Sequence, residues 1–176
     1  MKRMVAHAKV GKVYNQEQIY ETRGVIAFDM DGTIADFYHV PDWLAKLEAE
    51  DPSPYLDAKP LVDMNKLREI LIALSAKGWE IRIISWLSKD ASPEFKKAIR
   101  QAKRQWLAKY NFPADKVHLV QYGTTKMRCI RNFMGNPPAI LIDDDSKVRD
   151  GWRIGEAWDP AEEDILEKLE QLLEEE

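Results

Sequence analysis

The chain has 176 residues, 45% of them hydrophobic, with a formal net charge of -4 and a pI of about 5.5. That length buries one sizeable core and suits one α/β domain with at most a small insertion, and the charge balance argues against a surface built to neutralise a nucleic-acid backbone or an anionic membrane. Cys129 is the only cysteine, which excludes an intrachain disulfide and points to a reducing interior. No apolar run approaches the roughly 20 residues that cross a bilayer, and the N-terminus lacks the apolar stretch of a signal peptide, so the expectation is a cytoplasmic protein.

Residues 1–23 mix polar and apolar side chains without a period and read as an N-terminal extension, with the core domain expected over 24–176. Gly24-Val25-Ile26-Ala27-Phe28 is a short apolar run ending at Asp29, the pattern of a strand buried on both faces. Asp36 to Pro60, with Pro41, Pro52 and Pro54 and a brief helical pattern at Trp43, Leu44 and Leu47, reads as an insertion above the strand ends. Leu67, Ile70, Leu71 and Leu74 recur at helical spacing and stop at Gly78, and a second apolar run spans Trp79 to Ser85. Ser92-Pro93 opens another helix through Phe95, Ile99, Ala102 and Trp106, of which Lys96, Lys97, Arg100, Lys103 and Arg104 form the expected wet side. Strands follow at Val117 to Gln121 and Ala139 to Ile142. Asp159-Pro160 is expected to open a last helix with an acidic first turn (Glu162, Glu163) and an apolar stripe of Ile165, Leu166, Leu169, Leu172 and Leu173. Alternating strands and helices imply right-handed crossovers and a central parallel sheet covered on both faces, a Rossmann-like sandwich. Asp29, Ser85, the Gln121 to Lys126 loop and Asp143 then converge at the carboxyl edge, where such sheets bind ligands.

The segment Asp29-Met30-Asp31-Gly32-Thr33 sets two carboxylates two residues apart at a strand end, with a glycine that lets the chain turn. Paired carboxylates attract a hard cation such as magnesium, which cancels the repulsion between an anionic nucleophile and a phosphate. Asp143-Asp144-Asp145 follows a second apolar run, and three consecutive acids repel one another unless a cation intervenes; taken alone they equally fit a solvated turn. Ser85 and the amides after it can hold phosphate oxygens, and Lys126, behind Gly123-Thr124-Thr125, can place a charge on phosphate; each alone also fits ordinary surface. A calcium loop is excluded, because aligning Gly32 with the turn glycine puts Ala27 and Tyr38 at the first and last ligand positions. A receiver domain carries its phosphorylated Asp on a middle strand, and here the middle strand ends in Ser85.

The order Asp-x-Asp-Gly-Thr, Ser, Lys, Asp-Asp, each after an apolar strand, resembles the four motifs of the haloacid dehalogenase superfamily, over Val25 to about Asp150. The resemblance implies a three-layer α/β fold with a small helical cap in the 36–60 insertion. It implies Asp29 as a nucleophile that forms an aspartyl-phosphate and Asp31 as general acid and base. It implies phosphate contacts from Gly32, Thr33, Ser85, Trp86 and Lys126. The implied cofactor is Mg2+, held by the Asp29 side chain, the Asp31 backbone carbonyl and Asp143, with Asp144 coordinating either directly or through water. Asp29 to Phe37 and Tyr122 to Lys126 look like the deoxyribonucleotidase branch (5'-nucleotidases), which implies a nucleoside monophosphate as substrate, although the insertion is short for that branch's cap. Trp86, Phe37, Tyr38, Trp43 and Tyr55 are candidates to stack on a base or simply to pack, and His39 is a loop histidine. Alternatives are another small phosphate ester, a polynucleotide end, or a relative that binds phosphorylated ligands without turnover.

Overall fold

The computed structural model describes residues 22–130 and 138–175. The extension expected over residues 1–23 lies outside them apart from its last two residues. In chain order the elements are β1 (Gly24–Phe28), β2 (Ala35–Asp36), α1 (Trp43–Glu48), α2 (Ser53–Asp57), β3 (Lys59–Pro60), α3 (Met64–Ala76), β4 (Trp79–Trp86), α4 (Pro93–Lys109), β5 (Lys116–Val120), β6 (Ala139–Ile142), α5 (Ser146–Gly151), β7 (Ala157–Trp158) and α6 (Ile165–Glu175). Short 3-10 turns cover Phe37–His39 and Lys126–Cys129.

Five strands form one parallel sheet in the order β5-β4-β1-β6-β7. The chain runs outward from β1 to β4 and β5, then crosses back to β6 and β7, so the direction of winding reverses between β1 and β6. Parallel sheets of this kind open a crevice at that reversal, outside the carboxyl ends of the strands. Phe28 is level with Ile83 and Ile142, so Asp29 and Asp143 leave the sheet side by side.

Every residue of β1 and β6 is buried. Alternation along the strands sends side chains to opposite faces. Ile26, Phe28, Ile81 and Ile83 pack with Leu71 and Leu74 of α3, Ile99 and Trp106 of α4 and Leu169 of α6, whereas Val25, Ala27, Ile84 and Leu141 pack with Ile130 and Trp152. The fold is therefore an α/β, Rossmann-like layered sandwich with a central parallel sheet. Asp63 and Ser92 cap α3 and α4 through their side-chain oxygens. Among the described residues, no helix is long and apolar enough to cross a membrane.

Two boundaries differ from expectation. Asp159-Pro160 does not open the last helix: the Glu162 and Glu163 amides turn back to the Asp159 carbonyl, and Asp164 caps α6 by accepting from Glu167 N at 3.1 Å. The acid in the first turn of α6 is consequently Glu167. The strand β7 was not foreseen, because two residues carry no readable period; it exists because Leu141 N and Asp143 N donate to the Glu156 and Trp158 carbonyls.

The insertion is two short helices and a two-residue hairpin, β2 antiparallel to β3. It is pinned to the core. Trp106, fully buried on α4, donates its indole N–H to the Ala58 carbonyl at 2.7 Å, and the Glu50 carboxylate accepts from Ser92 N and Oγ at 3.0 and 2.8 Å. Replacing Trp106 by Phe keeps an aromatic filler but leaves the Ala58 carbonyl without its partner, at a cost of ~1–3 kcal/mol. We expect Trp106→Phe to lower the unfolding free energy by that amount, read as a fall in the urea midpoint with an unchanged m-value, and amide exchange in residues 53–58 to accelerate; unchanged exchange there would mean the insertion is held by other contacts.

Candidate active site

Asp29 continues β1, its amide donating to the Ile142 carbonyl of β6 at 2.9 Å. The chain then closes a tight loop in which the Met30 carbonyl accepts from the amides of Thr33, Ile34 and Ala35. Gly32 sits at φ +81, and a Cβ there would overlap the Asp144 carboxylate and lie 2.8 Å from the Tyr38 ring. Only glycine permits both the left-handed backbone and that approach. Its amide is spent on the Ala35 carbonyl at 2.8 Å. Thr33 Oγ1 donates to Asp144 Oδ1 (3.2 Å) and accepts from Asp144 N (3.1 Å), so this hydroxyl ties the β1 loop to the β6 loop. Gly32 and Thr33 thus stand behind the carboxylates and line a neighbouring depression, whereas Asp29, Asp31, Ser85, Trp86, Lys126, Asp143 and Asp144 line the cleft.

The carboxylates of Asp29, Asp143 and Asp144 each bring an oxygen within 4.8 Å of the others. Asp145 belongs to a different job. Its amide donates to Asp143 Oδ1 (3.0 Å), and its Oδ1 accepts from Lys147 N and Val148 N, capping α5. Of the three consecutive acids, two therefore join Asp29 in the cluster, and the third, also on the cleft wall, starts a helix. Lys126 is buried between the two loops, with Nζ 2.7 Å from Asp29 Oδ1 and 2.6 Å from Asp143 Oδ2. Burial opposes its charge, but the Asp29 and Asp143 carboxylates outweigh that and raise its pKa.

One ammonium does not balance three carboxylates. Burial and then the Asp29 charge push Asp143 up to about 7, and the same two causes push Asp144 up to about 6. An oxygen-only donor set gathered this closely, with its charge uncompensated, fits a hard divalent metal ion. Asp29, Asp143 and Asp144 are the side chains that can hold one. The Asp31 side chain lies outside this group.

Asp31 is instead paired with a second buried lysine. Lys103, expected on the wet side of its helix, is fully buried, with Nζ 2.6 Å from Asp31 Oδ2, 2.8 Å from Ser85 Oγ and 2.9 Å from the Trp86 carbonyl. The helical pattern misled because Lys103 follows Ala102 and precedes Trp106 on the buried side of α4, and a lysine enters such a face only when paired. The signal that was available is the spacing Ile99, Lys103, Trp106, which sets the lysine in the apolar stripe rather than opposite it. Burial raises the Asp31 carboxyl above the usual carboxylate range, against the pull of Lys103.

Ser85 is the penultimate residue of β4, a buried part of the cleft wall. The amide of Leu87, two residues on, is taken by the Val120 carbonyl at 2.8 Å, which removes one of the groups expected to follow Ser85 toward an anion. The Trp86 indole N–H is likewise spent on the Thr124 carbonyl at 2.8 Å, so Trp86 offers its ring. Lys126 Nζ lies 5.4 Å from that ring's centroid, and the ring is 5.0 Å from Tyr122.

The cleft has a volume of ≈ 390 Å3, within the range of small-molecule sites. Its far wall comes from the insertion. Phe37 and Tyr55 stack at 4.6 Å, both buried, and join the insertion to the main core, while Tyr38 stands 50% exposed at the mouth and Tyr122 55% exposed beside Trp86. All five candidate stacking rings line the cleft, Phe37 and Tyr55 as buried parts of its wall, and they are joined there by Tyr122. His39 is exposed and pairs with Asp36 at 2.6 Å.

No family model matches the chain, and no curated protein sequence does so. Among solved structures, a chain from the structure of a Pnkp1/Rnl/Hen1 complex is similar, with a TM-score of 0.52 and 16% identity over 86% of this chain and 50% of that one. The present chain spans half the length of that neighbour, and the likeness is one of fold.

Proposed function

We propose that the protein is a metal-dependent phosphomonoester hydrolase of the haloacid dehalogenase type, working through an aspartyl-phosphate on Asp29. The observation that carries this reading is the division of carboxylates. Asp29 is held with Asp143 and Asp144 around one point, while Asp31, two residues away, is drawn onto a separate lysine. A nucleophile must stay ionised and a general acid must carry a proton, and two environments serve those opposite needs. A module that only bound phosphorylated ligands would have no use for the second environment.

In this reading an Asp29 oxygen bonds to phosphorus as the ester P–O bond breaks, its electron pair leaving on the alcohol oxygen, which takes a proton from Asp31. Water then attacks the phosphorus of the aspartyl-phosphate and gives its proton to Asp31, releasing inorganic phosphate and restoring the Asp29 carboxylate. Lys126 keeps Asp29 oriented, and Ser85 donates to a phosphate oxygen. The metal ion, taken to be Mg2+ and held by Asp29, Asp143 and Asp144, supplies positive charge that lets two anions approach.

For the substrate we propose a nucleoside monophosphate, because Tyr38, Trp43, Trp86 and Tyr122 offer aromatic faces on a cleft of this size. A second reading, phosphate on a larger ester such as a polynucleotide end, is favoured by one feature: the insertion is two short helices pinned to α4 rather than a hinged cap. Nucleoside monophosphates, sugar phosphates and phosphorylated oligonucleotides assayed side by side separate the two, and kcat/KM highest for the oligonucleotides would displace the nucleotidase reading.

Magnesium should be required for hydrolysis of an aryl phosphate, and Asp29→Asn should abolish that activity. Metal-independent turnover surviving in Asp29→Asn would exclude the aspartyl-phosphate route. Independently of activity, magnesium at about 100 times its Kd should stabilise the folded protein by ~2.7 kcal/mol, read as a rise in Tm. Asp143→Asn should remove most of that rise, and an undiminished rise would place the metal elsewhere.

A further inference from the structure

We infer that Lys103 is a positioning residue that places the Asp31 carboxyl and sets the direction of the Ser85 hydroxyl. The inference rests on the phosphatase reading above. An ammonium has three protons to donate, and Lys103 is surrounded by three acceptors at 2.6, 2.8 and 2.9 Å, Asp31 Oδ2, Ser85 Oγ and the Trp86 carbonyl. With its donors so matched and its side chain 0% exposed, it has nothing left for a substrate. It acts through its neighbours.

The consequence for Ser85 follows from proton counting. Because Oγ accepts from Lys103, the hydroxyl hydrogen must be given elsewhere, and no group among the described residues accepts it. Ser85 lines the cleft, so its donor is kept for an anionic oxygen arriving there, and the adjacent ammonium strengthens it. For Asp31, tethering Oδ2 leaves Oδ1 as the oxygen that carries the proton to a leaving group. The Tyr55 ring, 5.1 Å from Nζ, brings the insertion onto the same ammonium. Lys103 therefore fixes the relative placement of the β1 loop, the end of β4 and helix α2.

The test is leaving-group dependence, which loss of general folding quality does not change. The value of kcat/KM is measured for phosphate monoesters whose alcohols range from nitrophenols to simple alkanols, in the wild type, Lys103→Met, Asp31→Asn and the double variant. Mispositioning of the acid should cost Lys103→Met about 100-fold or more on alkyl phosphates and under about 10-fold on nitrophenyl phosphate. In the Asp31→Asn background Lys103→Met should add no further dependence on the leaving group. An equal loss across the whole series would overturn the inference while leaving the phosphatase reading intact; a wild type inactive on every ester would instead sink that reading. Should Lys103→Met not fold, the unmodified protein still decides the matter. The 15Nζ–1H correlation of Lys103 should be visible near neutral pH because its protons are held, and Ser85→Ala should shift it. An ammonium that exchanges freely, or one indifferent to Ser85→Ala, would refute the arrangement.

Discussion

Negative charge crowded at the carboxyl ends of β1 and β6 is the constraint around which this molecule is arranged. Asp29, Asp31, Asp143 and Asp144, four of the five aspartates that line one cleft, cannot all remain ionised in a half-buried setting without cations close by. Two lysines taken from different parts of the chain divide the load, Lys126 from the turn after β5 and Lys103 from the third turn of α4. What they leave uncompensated, around Asp29, Asp143 and Asp144, is the share that suits a divalent ion.

The scaffold delivers these groups through connections that do no chemistry. The reversal of winding between β1 and β6 sets Asp29 beside Asp143. Thr33 then binds the two loops to each other through Asp144, and Gly32 leaves the space that this closeness requires. Asp145, by capping α5, and Arg149, by donating to the Asp143 carbonyl at 2.7 Å, hold the second loop from its other side. Residues of this kind are needed for geometry to within fractions of an ångström, since a carboxylate displaced by one ångström loses its place in an arrangement of this sort.

The insertion gives the cleft one aromatic wall and no evident hinge. Its buried pair, Phe37 and Tyr55, is continuous with the main core, and its contacts with Trp106 and Ser92 are to a helix that also carries Lys103. Wall and acid site are thereby coupled through one rigid element. Under the proposed hydrolase reading, selectivity comes from the shape and faces of the open cleft rather than from closure over the substrate.

Much of this was readable from residue order alone. Buried parallel strands announce themselves as apolar runs because both faces are covered, so β1, β4, β5 and β6 and the acids that end two of them were legible, as were the stripes of α3 and α4. Short elements were not: β7 has two residues, and its existence depends on pairing with β6 residues that lie sixteen positions away in sequence. Nor does sequence assign one acid to a metal and the next to a helix cap, because Asp144 and Asp145 differ only in which way the backbone turns them. Lys103 is the clearest case. Periodicity can mark a lysine as solvated or as out of place, but its partners come from residues 31, 85 and 86, and only tertiary packing brings a buried charge to the groups that make its burial affordable. The chain's own order thus determined which groups lie at strand ends; the fold decided which of them share a proton, a cation or a lysine, because those pairings are set by distance through space.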